Sequence, residues 1–141
     1  MKHTLLLFLC WSVTVFADIT VVDDSGTTVV LAEPAGKIVS LSPHLTELLF
    51  SLGVGDRIEA TVDFSDYPEA ALNIPRLGNA FSVSVEAVIE QSPDLIVAWM
   101  TGGNHRTFEQ LRALGYPVFV NEASSLVGIA VAVEQLGILA G

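Results

Sequence analysis

The stretch KIVSLSPHLTELLFSLG (residues 37–53) decides the fold. Lys37 to Leu41 is a short apolar run rich in β-branched side chains, the composition of a strand. Ser42 suits the cap of a following helix, and Pro43 suits its first position, where a missing N–H needs no partner. Leu45, Leu48, Leu49 and Leu52 then recur at i, i+3, i+4 and i+7, one apolar helical face, and Gly53 closes it. A strand that runs straight into an amphipathic helix is the first half of a βαβ unit.

The same rhythm continues toward the C-terminus. Arg57 to Val62 reads as the next strand. Residues 63–82 lack a period, and Pro68, Pro75 and Gly78 mark them as loop with at most one helical turn. Ser84 caps a short helix reaching Gln91, which Ser92-Pro93 ends, because the residue before proline leaves the α region. Asp94 to Trp99 is a continuous apolar strand of the kind found inside parallel sheets. Asn104 caps a helix with Phe108, Leu111 and Leu114 on one side, ended by Gly115; Pro117 to Val120 is a further strand. Ser125 opens a last helix carrying Leu126, Ile129, Ala130 and Val133. Toward the N-terminus, Asp18 to Leu31 forms two β-branched runs around Asp24-Ser25-Gly26, a hairpin signature, and residues 33–36 connect it to Lys37. The expected fold is therefore α/β: a three-layer lobe, its sheet mainly parallel with helices on both faces, preceded by a β-hairpin.

The first 17 residues read differently. Met1-Lys2-His3 is a short basic start, and Thr4 to Val15 is a nearly pure apolar run of 12 residues. A bilayer of roughly 30 Å needs about 20 helical residues, so this run is too short to span one. With small residues before Asp18, it reads as a removable secretory signal, and the protein is expected in the periplasm. Leu9 before Cys10 argues against a lipid anchor. Cleavage removes the only cysteine, so neither a disulfide nor a thiolate metal site is expected afterwards. The full sequence of 141 residues carries a net charge of −10, with 16 acidic against 6 basic residues, and losing Lys2 makes it one unit more negative. Nucleic-acid binding is excluded as a function class, since phosphate contacts need clustered Lys and Arg.

Ligands of parallel α/β sheets sit at the carboxyl ends of the strands. Here those ends are Ser42-Pro43-His44, residues 63–67, residues 99–103 and Asn121-Glu122. One rim thereby collects Ser42, Pro43, Phe64, Tyr67, Trp99, Gly102 and Gly103, a surface for a large flat ligand more than for a phosphate. Phosphate-loop, dinucleotide, zinc-protease and nucleophile-elbow motifs are absent from the sequence. Ser42 and His44 stand two apart at a helix start, where their side chains need not meet, and the serine is explained as the cap. His44 and His105, with Glu47 or Asp66, make a weak metal pattern; they read better as solvent-facing imidazoles. No catalytic residue, metal site or cofactor is assigned. A small secreted enzyme using His44 and Asp66 as an acid–base pair, and a ligand-free interaction domain with an acidic face, are the readings from other classes.

Four pieces in order, IVSLSPHLTELLFSLG, DFSDYPEAA, SVEAVIEQSPDLIVAW and TGGN, together with the DDSGTTVVL hairpin, resemble the helical-backbone substrate-binding proteins of bacterial ABC importers. That group binds corrinoids, ferric siderophores and haem, and the likeness is to its cobalamin-binding members. It implies two α/β lobes joined by a rigid helix, with the ligand clamped between them. Residues 37–141 would be the N-terminal lobe and the chain a fragment that lacks the second. By position, Phe64 and Trp99 match aromatics that pack on the corrin, and Phe81 lies near a third. Glu86 matches an acidic residue that docks onto the transmembrane permease. The resemblance implies a monomer that binds a corrinoid, with a siderophore or haem protein as the alternative.

Overall fold

The computed structural model describes residues 17–122 and 124–141. The secretory-signal reading therefore lies outside the described residues except at Ala17. Strands β1 (Ile19–Val22) and β2 (Thr28–Leu31) form an antiparallel hairpin. Gly26 takes a φ of 78° in its turn, as the Asp24-Ser25-Gly26 signature requires. Next come β3 (Ile38–Ser40), α1 (Pro43–Ser51), β4 (Ile58–Ala60), α2 (Val85–Ile89), β5 (Leu95–Trp99), α3 (His105–Ala113), β6 (Val118–Asn121) and α4 (Leu126–Ala140). Short 3₁₀ turns precede β4 (Gly55–Arg57) and lie in the long connection after it (Glu69–Asn73).

The four inner strands pair in parallel in the order β4-β3-β5-β6. Alternation along each strand splits the core in two. Ile38, Leu95, Val97 and Phe119 pack with Leu45 and Leu49 of α1, Leu136 and Leu139 of α4, and Val21, Val29 and Leu31 of the hairpin. Val39, Ile96, Ala98, Val118 and Val120 face the other way, onto Val88 of α2 and Phe108 and Leu111 of α3. Helices thus cover both faces of a parallel sheet, and the hairpin shares the α1–α4 core.

The turn of the hairpin is pinned to β6. Buried Asp23 accepts hydrogen bonds from the Val120 amide (2.9 Å), Ser25 and Thr27, and pairs with Arg112 of α3 at 2.6 Å. Ser84, Asn104 and Ser125 cap their helices as expected, accepting from Ala87, Thr107 and Gly128. Ser42 occupies the cap position of α1 without a side-chain cap bond, because its hydroxyl is engaged by His44 instead. The last helix also departs from expectation. Its buried face is Ala132, Leu136, Leu139 and Ala140, while Leu126, Val127, Ile129, Val131 and Ile138 are exposed. A helix whose only polar side chains are Glu134 and Gln135 carries little phase in its sequence, so the contact face is set by what it packs on.

Candidate ligand-binding rim

From β3 the chain moves through α1 to β4 on one side. The next crossover carries α2 on the opposite face and returns past β3 to β5. The connections thus diverge between β3 and β5, and an open α/β sheet has its ligand crevice at such a point, outside the carboxyl ends of the strands. In this protein that point is flanked by Ser42-Pro43-His44 on one side and residues 99–103 on the other.

Among the described residues, every exposed aromatic side chain belongs to the loops and strand ends reaching this rim. Phe64 is 76% exposed, Tyr67 69%, Phe81 63% and Trp99 37%. Phe64 follows β4 and Trp99 ends β5, the two strands that flank β3. Phe81 belongs to the same rim because Asn104, directly after the β5 loop, donates its Nδ2 to the Phe81 carbonyl at 3.3 Å.

Phe64 has a φ of 67°, an unusual backbone state for a bulky side chain. The surrounding contacts hold it there. Arg76 donates to the carbonyls of Ser65 (2.8 Å) and Val62 (3.4 Å), and the Asp63 amide donates to Gly78. Beneath the loop runs a buried chain of hydroxyls. Ser40 and Thr46 lie 2.9 Å apart, Thr46 and Thr61 2.8 Å, and Thr61 and Ser65 2.8 Å. It joins the strand end before Ser42 to the strand end before Phe64, and buried hydroxyls that are fully paired make a rigid support.

Trp99 lies on Gly102: a Cβ there would come within 1.6 Å of the indole. A Cβ on Gly103 would strike the Phe108 ring at 2.3 Å and the Trp99 carbonyl at 2.8 Å. Both glycines are therefore close-approach positions that allow the loop to fold under the indole. Thr101 closes the rim by donating its amide and hydroxyl to Glu122 beyond β6, at 3.0 and 2.9 Å. Pro43 is at the first position of α1, half-buried. Glu86 is exposed on the first turn of α2. It borders a groove of about 520 Å³ lined also by Val83, Ser84, Thr107 and Leu114.

His44 corrects the sequence reading. It is half-buried, not solvent-facing, and its Nδ1 lies 2.7 Å from Ser42 Oγ, so the two side chains do meet. Its ring stands perpendicular to Trp99, with centroids 5.3 Å apart and an interplanar angle of 88°. Burial pushes the imidazole below its ordinary pKa, against a hydrogen bond that the ring donates to the Asn121 side chain and the charges of Glu47 and Glu122, which favour the protonated form. His44, Leu48, Trp99, Asn121 and Ile129 line a pocket of about 230 Å³. His105 is exposed on α3, and no cluster of metal-ligating side chains occurs among the described residues. Sequence reasoning placed His44, Thr101 and Asn121 at the strand ends of the rim but gave none of them the contacts seen here. The available signal was position alone, since all three stand at strand ends on the rim.

The profile of the periplasmic binding protein family matches residues 38–141, and the chain belongs to that family. It is 39% identical over 103 residues to the vitamin B12-binding protein of Vibrio campbellii, covering 73% of this chain and 38% of that protein. The crystal structure of the periplasmic vitamin B12-binding protein of Vibrio cholerae superposes with a TM-score of 0.73 at 36% identity, covering 77% of this chain and 42% of that one. A periplasmic heme-binding protein from Roseiflexus is similar at 27% identity with a TM-score of 0.67, over 74% of this chain and 42% of the other. The chain thus spans about two fifths of the length of the relatives it matches.

Proposed function

We propose that this chain is the N-terminal ligand-binding lobe of a periplasmic substrate-binding protein that captures a corrinoid such as cobalamin for an ABC importer. The observation that carries the reading is the set of four exposed aromatics, Phe64, Tyr67, Phe81 and Trp99, on a preformed rim at the crossover point of the sheet. A flat, mostly uncharged macrocycle gains from stacking on such rings, whereas an anionic siderophore calls for free basic groups, and Arg76, the arginine beside Phe64, is already committed to that loop. The vitamin B12-binding relatives support the same ligand. Ser42, Pro43, Gly102 and Gly103 shape the wall, and the aromatics contact the ligand. Glu86, exposed on the first turn of α2, would be offered to basic residues of the permease. A single wall covers one face of the ligand, so its affinity should fall well short of a two-walled clamp.

Haem is the second reading, favoured by the Roseiflexus relative. Against it stands His44, the rim imidazole, which is already hydrogen-bonded to Ser42 and Asn121 instead of being presented to iron. The test is to titrate residues 18–141 with cyanocobalamin and, separately, with hemin. Saturable quenching of Trp99 by cyanocobalamin, corrected for inner-filter absorption, is the expected result. A shifted Soret band with hemin and no saturation by cyanocobalamin would overturn it in favour of haem.

A further inference from the structure

We propose that His44 is a positioning residue for the aromatic wall. Acting through Trp99, it holds the indole down on Gly102, and a hydrogen-bonded series through Asn121 and Asp24 ties that wall to the turn of the N-terminal hairpin. The inference rests on the reading of this rim as the ligand site.

Trp99 is the last residue of β5, and beyond it the chain turns away at residues 100–103. An aromatic at a strand end keeps one rotamer only where neighbours confine it. Gly102 supplies the floor, since the ring occupies the space of the missing Cβ. His44 supplies the side wall, perpendicular at 5.3 Å.

His44 is itself held from two directions, by Ser42 Oγ on Nδ1 and by the side chain of Asn121. Ser42 cannot drift: it is buried, and its carbonyl accepts from the hydroxyls of Ser40 and Thr46, both at 3.1 Å. Asn121 is oriented by Asp24, whose Oδ2 accepts from Asn121 Nδ2 at 3.0 Å and from the Glu122 amide at 2.6 Å. With its amide nitrogen on Asp24, Asn121 turns its carbonyl to the imidazole. The tautomer that satisfies both neighbours has Nε2–H donating to Asn121 and Nδ1 accepting from the Ser42 hydroxyl.

Protonation puts a hydrogen on Nδ1, so the Ser42 hydroxyl must turn away and the contact reverses its direction. The charged groups facing His44 are Glu47 from α1, Glu122 from the segment after β6, and Asp24 from the hairpin through Asn121. Glu47, Glu122 and the Asn121 hydrogen bond favour the imidazolium and burial opposes it more strongly, so the wall is set by the neutral ring at neutral pH.

The test uses ligand-free residues 18–141, in which Trp99 is the sole tryptophan. Its emission and its quenching by acrylamide are followed against pH. The wild type should lose emission in acid with a midpoint below 6.5, as the imidazolium forms beside the indole. His44→Gln should abolish that limb and raise acrylamide access at neutral pH, with an unchanged far-UV circular dichroism spectrum, while His105→Gln keeps the limb. Asp24→Ala, remote from the indole, should raise acrylamide access in the same direction. If His44→Gln does not fold, Ser42→Ala and Asp24→Ala carry the test.

An acid limb that survives His44→Gln overturns the proposal. So does unchanged acrylamide access in the folded variants, which would make His44 a quencher and not a support. Cyanocobalamin affinity, measured separately, should fall about tenfold in His44→Gln as preorganisation is lost. Failure of the wild type to bind cyanocobalamin would sink the ligand assignment and leave the ligand-free result to decide the role of His44.

Discussion

Phe64 combines a φ of 67° with a largely exposed ring, so the backbone strain brings no core packing in return. For a side chain with a Cβ that region costs about 1–2 kcal/mol. Strain of this kind persists where the surroundings impose it, here Arg76 and the hydroxyl chain, and it collects at ligand clamps. Phe64→Gly should therefore separate stability from binding. Stability should stay level or rise by up to about 1 kcal/mol once the freedom of glycine in the unfolded chain is subtracted, read as an unchanged or higher melting temperature. Cyanocobalamin binding should weaken at the same time. A variant that melts lower and binds normally would show the ring to be structural. Trp99 is read differently. One aromatic face of roughly 100 Å² at about 25 cal/mol per Å² is about 2.5 kcal/mol, so Trp99→Ala should weaken binding some tens of times. Calorimetric titration checks this, since the variant lacks a tryptophan reporter. Gly102→Ala should do comparable harm without removing any ligand contact, because its methyl must displace the indole.

At the scale of elements, α3 shows how a cap serves the site. Asn104 accepts from the Thr107 amide and donates to the Phe81 carbonyl, so one side chain both starts the helix and holds an aromatic loop. Asn104→Ala should lower stability by about 1 kcal/mol, read from urea unfolding, and should also weaken ligand binding through the loosened Phe81 loop. A stability loss with unchanged affinity would remove Phe81 from the site. The caps at Ser84, Asn104 and Ser125 were legible in the sequence because a small polar residue before a helical run has few competing partners. Ser42 was not, because a histidine two residues on takes its hydroxyl, and propensity rules do not describe such competition. The stripe of α1 was legible because polar residues interrupt it. That of α4 was not, because Glu134 and Gln135 alone interrupt its apolar run.

For the whole molecule, pH reports on the folded site. His44 has its pKa lowered in the folded state, so between that value and 6.5 the unfolded chain binds more protons. Stability then rises with pH across this window, is fully present above it, and declines as pH falls through it. Urea midpoints measured above and below the window should show that slope in the wild type, and a flatter one in His44→Gln. Sequence alone established the alternation of strands and helices, the hairpin turn, three of the caps, and the strand ends carrying Phe64, Tyr67 and Trp99, because these depend on local periodicity and on the special chemistry of Gly, Pro and capping residues. The order β4-β3-β5-β6, and hence the crevice between β3 and β5, was left to the tertiary structure, as were the perpendicular packing of His44 on Trp99, the hydroxyl chain under Phe64 and the buried side of α4. The physical reason is common to all four. Each joins residues that are neighbours in space and distant in sequence, and which distant partner is chosen follows from burying every strand face and every polar group at once, a condition on the whole chain that no local window contains.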